Sequence, residues 1–156
     1  MKFSAREDIE APIDVVFASV TDFDTFERQM IRRGAEVRRT DPDGIAGVGS
    51  VWDVAFSYRG RARKITATVA RMEKPNLLEL TLVANGLNGV STIELLPLSQ
   101  NKTRMSMAID LSAKTLSARL LLQSLKLAKS NLTNRFKKRV ADFAASIESR
   151  EKPTRS

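Results

Sequence analysis

Glu7, Tyr58 and Lys129 are the side chains that acid–base chemistry in this sequence would have to use, because the usual agents are missing. The 156 residues contain no histidine and no cysteine. That removes the commonest general base, the Ser-His-Asp arrangement, thiolate metal sites and a cysteine nucleophile. It also excludes disulfides, which fits a reducing compartment. Carboxylates, lysine, tyrosine and backbone dipoles remain, and no spacing of them forms a catalytic or metal-ligating constellation. The expectation is a non-enzyme, with no catalytic residue, no metal and no cofactor. Glu7 shares strand parity with Phe3, Ala5 and Ile9, and an inward carboxylate is costly unless paired. Lys129 falls near the apolar stripe of the C-terminal helix, as a partner for Glu7 or an anchor for a ligand head group. Both residues also read as rim positions, Glu7 at a frayed strand and Lys129 snorkelling to solvent. Tyr58, the only tyrosine, would set its hydroxyl beside the Arg59-Gly60 turn.

The elements that must position these groups follow from periodicity. Lys2 to Glu10 alternates as a half-buried strand does. Ala11-Pro12 ends it, since proline cannot donate to a ladder but fits a helix start. Val15, Val16, Phe17 and Val20 make one short helix. Asp22 or Asp24 caps a second, with Phe23, Phe26 and Met30 on its apolar side. From Glu36 the chain reads as a meander: a weak strand to Thr40, a loop with Gly44, Gly47 and Gly49, then strands at 50–58, 61–72, 77–84, around Ile93 and Leu95, and at 103–111. Arg59-Gly60, Lys74-Pro75-Asn76, Asn85-Gly86 and Asn88-Gly89 are its turns. Residues 113–148 lack Gly and Pro and read as one long helix, kinked near Ser130-Asn131. Its stripe runs through Leu121, Leu125, Ala128, Leu132, Phe136, Val140, Phe143 and Ile147.

Strand parity gathers one apolar set: Trp52, Val54 and Phe56 with Tyr58; Ile65, Ala67 and Val69; Leu78, Leu80 and Leu82; Ile93 and Leu95; Met105, Met107 and Ile109. A largely apolar wall suits an apolar ligand, and two methionines on one face adapt to several ligand shapes. The same pattern describes a solid core. The fold class is α+β, a curved antiparallel sheet of six or seven strands gripping the long helix, with both short helices on the helix side. One domain spans 1–149, and 150–156 is expected to be a flexible tail.

The order of motifs resembles the START-like, birch-pollen-allergen-like superfamily of helix-grip proteins, including its bacterial polyketide cyclase/dehydrase and lipid-transport branch. IEAPIDVVFASVTDFDTF looks like its opening strand and two helices, GVGSVWDV like its glycine-led third strand, and VARMEKPNLLEL like its strand–Pro-turn–strand. The resemblance implies a cavity between sheet and long helix that binds a hydrophobic small molecule such as a lipid, quinone or polyketide. It makes Trp52, Val54, Phe56, Tyr58, Ile65, Ala67, Val69, Leu78, Leu80, Leu82, Ile93, Met105, Met107, Leu125, Lys129 and Glu7 the candidate lining. It also admits a cyclase/dehydratase-type enzyme acting on a similar ligand.

Charge adds a second theme. Residues 1–58 hold 7 Lys/Arg against 11 Asp/Glu, a net of −4, and residues 59–156 hold 19 against 7, a net of +12. Leu116, Leu120 and Leu127 lie opposite the main helical stripe, near Lys114, Arg119 and Lys126. Such leucines need a cover: a kink or preceding loop that buries them inside the monomer, a cavity roof with the Gly44–Gly49 loop, another subunit, or an anionic membrane surface, ribosome or protein partner in an interaction module. The basic NRFKKRV cluster reads as a solvated face, because nucleic-acid binding would add exposed aromatics. The start lacks a signal-peptide pattern and no apolar run approaches ~20 residues, so a cytoplasmic protein is expected.

Overall fold

The computed structural model describes residues 1–40 and 45–151. Alternation at the start becomes β1 (Lys2–Ile9), which buries Phe3 and Ile9 and turns Lys2, Ser4, Arg6 and Asp8 outward. Pro12 occupies the N-cap of α1 (Ile13–Val20), whose Val16, Phe17 and Val20 are buried. Asp22 caps α2 (Phe23–Arg32), accepting hydrogen bonds from the Thr25 N–H and hydroxyl. The Thr25 hydroxyl bond, foremost, holds the Asp22 carboxyl below its ordinary range.

Six strands follow: β2 (Glu36–Arg39), β3 (Val51–Tyr58), β4 (Arg61–Glu73), β5 (Leu77–Ala84), β6 (Leu87–Ser99) and β7 (Lys102–Ala113). They form one antiparallel seven-stranded sheet in the order β1-β7-β6-β5-β4-β3-β2. Arg59-Gly60 and Asn85-Gly86 make the tight hairpins, each with φ positive at both positions (51° and 75°, 47° and 81°), as a two-residue type I′ turn requires. Gly86 has a second duty. A Cβ there would lie 2.5 Å from the Thr115 hydroxyl, and Thr115 is the N-cap that receives the Ala118 N–H. The glycine lets the next helix start against this hairpin.

Two sequence expectations are corrected. Asn88-Gly89 is not a turn but part of β6; Gly89 faces Leu82 and Leu111, and a Cβ would approach the Leu111 side chain to 3.1 Å. The long helix is two helices, α3 (Leu116–Leu127) and α4 (Lys129–Glu151), broken at Ala128 rather than near Ser130-Asn131. The Ala128 N–H bonds the carbonyl three residues back, Leu125, which tightens and ends the turn. Of the two, α3 lies against β7 and α4 against β1. Among the described residues, no helix is long and apolar enough to cross a membrane. The tail beyond Glu151 lies outside the described residues.

The fully packed core gathers at one end of the sheet. Ile9, Val16, Phe17, Val20, Trp52, Val69, Leu78, Leu95, Met105, Val140, Ala144 and Ile147 are buried together there, where α1 and α4 meet the strands. Thr103 is the most deeply buried polar residue among those described. Its hydroxyl donates to the Ala11 carbonyl at 2.8 Å and ties β7 to the turn that releases α1. We expect Thr103→Val, of similar shape, to lower unfolding free energy by about 1–3 kcal/mol through the orphaned carbonyl. Chemical denaturation measures this; an unchanged midpoint would mean that the carbonyl has another partner.

Candidate functional site

The register puts the apolar parity set on one face of the sheet. Trp52 lies opposite Ala67, Val54 opposite Ile65, Ala67 opposite Leu82 and Val69 opposite Leu80. Leu78 pairs with Ile93, Ile93 with Met107, and Leu95 with Met105. A β-bulge between Val69 and Arg71 shifts parity, so Met72 joins this inner wall beside Leu78. Sequence parity did not reveal Met72.

Burial along the wall is graded. On β7 Met105 is sealed, whereas Met107, Ile109 and Leu111 are half-buried. On β5 Leu78 is sealed and Leu80 and Leu82 are half-buried. On β4 the sequence runs from buried Val69 to half-buried Ala67, Ile65 and Arg63; on β3 it runs from buried Trp52 through half-buried Val54 and Phe56 to exposed Tyr58. All four strands open toward the same end, that of the Arg59-Gly60 and Asn85-Gly86 hairpins. Helix placement explains the gradient. The helices approach β1, β2, β6 and β7, and among the described residues none comes comparably close to β3, β4 or β5. Leu121, Leu122 and Leu125 of α3 are half-buried on the helical side of the opening. The result is an apolar inner face, sealed at one end of the sheet and only half-covered at the other.

Its polar groups differ from those expected. Arg63 lies opposite Phe56 on the inner wall, and its Nε is buried with no hydrogen-bond partner among the described residues. A wall read as largely apolar therefore carries a guanidinium two residues from Ile65, toward the open end. Glu7 is half-buried opposite Met105 on edge strand β1, and makes no ion pair among the described residues. Lys129 is exposed in the first turn of α4, because the break at Ala128 sets a new helical phase. The structure does not bring Glu7 and Lys129 together. Tyr58 is exposed at the open end, with the Arg59 guanidinium 5.4 Å above its ring. At the closed end the Trp52 indole N–H donates to the Glu27 carboxylate, Phe23 packs on its ring at 5.0 Å, and the Arg39 guanidinium lies 5.8 Å away.

The outward face offers a poorer site. A shallow groove of about 950 Å³ crosses β1, β7 and β6, with Ser4, Arg6, Thr92, Glu94, Ser106 and Asp110 among its walls. An apolar ligand would bury little against it. Among the described residues no cluster of acids could hold a metal ion.

A family model described as polyketide cyclase / dehydrase and lipid transport matches residues 1–148. No functionally curated protein matches the sequence. An aromatase/cyclase of Streptomyces sp. R1128 superimposes with a TM-score of 0.65 at 13% identity, covering 97% of this chain and 96% of that one. Norcoclaurine synthase from Thalictrum flavum, in complex with dopamine and hydroxybenzaldehyde, gives 0.66 at 13% identity over 99% and 89%. A protein of Thermus thermophilus gives 0.65 at 12% identity over 97% and 100%. These likenesses establish a shared helix-grip fold.

An unpartnered buried guanidinium nitrogen costs stability unless something outside the chain meets it. We expect Arg63→Met to leave unfolding free energy unchanged or to raise it by up to about 1 kcal/mol. A loss of more than about 1 kcal/mol in denaturant titration would assign Arg63 a structural duty instead.

Proposed function

We propose, for a chain that belongs to the polyketide cyclase/dehydrase and lipid-transport family, a non-enzymatic role: a cytoplasmic carrier or sensor that holds a hydrophobic small molecule between sheet and helices. The family comprises helix-grip proteins that bind hydrophobic ligands, polyketide cyclases and lipid-transport proteins among them. The observation that carries the proposal is the graded burial of the inner wall. Val54, Phe56, Ile65, Ala67, Leu80, Leu82 and Met107 keep half-exposed apolar surface on the inner face. Covering that surface with a ligand gains roughly 25 cal/mol per Å², and residues of the closed end form the floor.

The ligand proposed is amphipathic. Its apolar body lies along Leu82, Ile65 and Met107, and an anionic group meets Arg63 near the opening. A guanidinium inside an apolar wall discriminates strongly, because a hydrogen bond to a charged group contributes about 1.5–3 kcal/mol. Turnover of the cyclase/dehydratase type is the alternative. It would have to use Glu7, Arg63 or Tyr58, which lie on different strands of the sheet.

Dodecanoate and dodecanol test both parts by calorimetry or by displacement of a hydrophobic fluorophore. We expect one saturable site per chain, weakened at least ~10-fold by Met107→Trp, with the melting transition retained. Arg63→Met should weaken dodecanoate by about 10- to 100-fold and leave dodecanol within a factor of about 2. Absence of saturable binding would end the carrier reading. Equal losses for acid and alcohol would remove Arg63 from the site. A substrate whose conversion falls more than ~100-fold in Glu7→Gln would replace the carrier with an enzyme.

A further inference from the structure

Three leucines of α3 find no cover among the described residues. Leu116, Leu120 and Leu127 are 74%, 57% and 91% exposed. The described part of the Gly44–Gly49 loop, 45–49, does not roof them: the Gly49 N–H bonds the Val69 carbonyl at the closed end of the sheet, and Gly44 lies outside the described residues. By contrast α3 starts beside Gly86 at the open end. At 100° per residue the three leucines fall within about 40° of one another, Arg119 and Lys126 flank them by about 60–80°, and Ala118 lies near 200°. Ala118 is the buried residue of α3, and Leu121, Leu122 and Leu125 are half-buried. The helix thus has two apolar stripes, one toward the protein and one toward solvent.

Charge identifies the occupant of the outer stripe. From Leu111 to Ala141 there is no acidic residue, while Lys114, Arg119, Lys126, Lys129, Arg135, Lys137, Lys138 and Arg139 are all basic. A second copy would press Arg119 and Lys126 against their own counterparts in an isologous contact. A bilayer with anionic head groups meets both demands, an apolar phase for the leucines and negative charge for the flanking cations.

We propose that α3 docks on an anionic bilayer, with Leu116, Leu120 and Leu127 entering the interface and Arg119 and Lys126 at head-group level. Docking would bring the open end of the apolar inner face to the membrane surface. This contact stands on the leucine stripe and its charges alone, independently of what the inner face binds.

Sedimentation of the full chain with ligand-free vesicles tests it. Vesicles of phosphatidylcholine with ~30% phosphatidylglycerol should bind the protein, and pure phosphatidylcholine should bind at least ~10-fold less, with affinity falling as salt rises. Leu120→Ser with Leu127→Ser should lower binding to the anionic vesicles by at least ~10-fold. Leu127→Ser alone, at a position almost wholly in solvent, is the variant whose fold is safest, and it should retain the parent melting transition and still lose affinity. No binding to anionic vesicles would overturn the proposal. So would unchanged binding of the serine variants, which would leave only the charge of α4, or a leucine-dependent dimer in native mass spectrometry, which would assign the stripe to a second copy.

Discussion

A seven-stranded sheet with one apolar face is wider than any helix laid on it. At about 4.8 Å per strand the sheet spans roughly 29 Å, whereas a helix with its side chains is about 10–12 Å across. The apolar parity of β3 to β7 obliges the inner face to leave water, yet α4 lies over β1 and α1 reaches only β6 and β7. The remaining coverage is incomplete by geometry, not by poor packing. The far strands β3, β4 and β5 therefore keep half-buried apolar side chains at the hairpin end.

The division between closed and open ends follows from the same shortfall. Where α1, α2 and the C-terminal half of α4 converge, side chains from every layer interdigitate, and Trp52, Met105 and Ile147 lose almost all contact with water. Thr103 and Glu27 supply hydrogen bonds for the Ala11 carbonyl and the Trp52 indole, so neither group opposes that closure. Toward the hairpin end α4 covers the edge strand through Phe136 on Phe3, and α3 starts where Gly86 leaves room for Thr115. Stability is concentrated at one end, and the adaptable apolar surface at the other. Such a separation lets a wall residue change with little effect on folding.

The fold was legible because most of the strands kept period-2 alternation between punctuating residues such as Pro12, Arg59-Gly60, Lys74-Pro75 and Asn85-Gly86. Misreadings arose where local chemistry pointed away from tertiary need. Asn88-Gly89 has the composition of a turn, yet its glycine is required by crowding between Leu82 and Leu111. Ala128 is the best helix-forming residue type, and no composition marks it as a break. On either side of the break, α3 packs on β7 and α4 on β1. Arg63 was visible in principle, two residues from Ile65 on the same face, but a charge ended the apolar pattern before the wall itself ended. The Glu27–Trp52 bond joins residues 25 apart through folding alone.

What matters most is whether the half-buried wall is the place where a ligand sits. Methyl-labelled NMR spectra recorded during titration with dodecanoate address this directly. In a carrier of the kind described, methyl signals of Ile65, Leu80, Leu82, Met107, Leu111 and Leu125 shift together and saturate, while Ile9, Val16, Val20 and Val140 at the closed end stay in place. Shifts confined to Val83, Val90 and Leu96, toward the outward face, or no saturable shifts at all, would contradict a ligand site between sheet and helices.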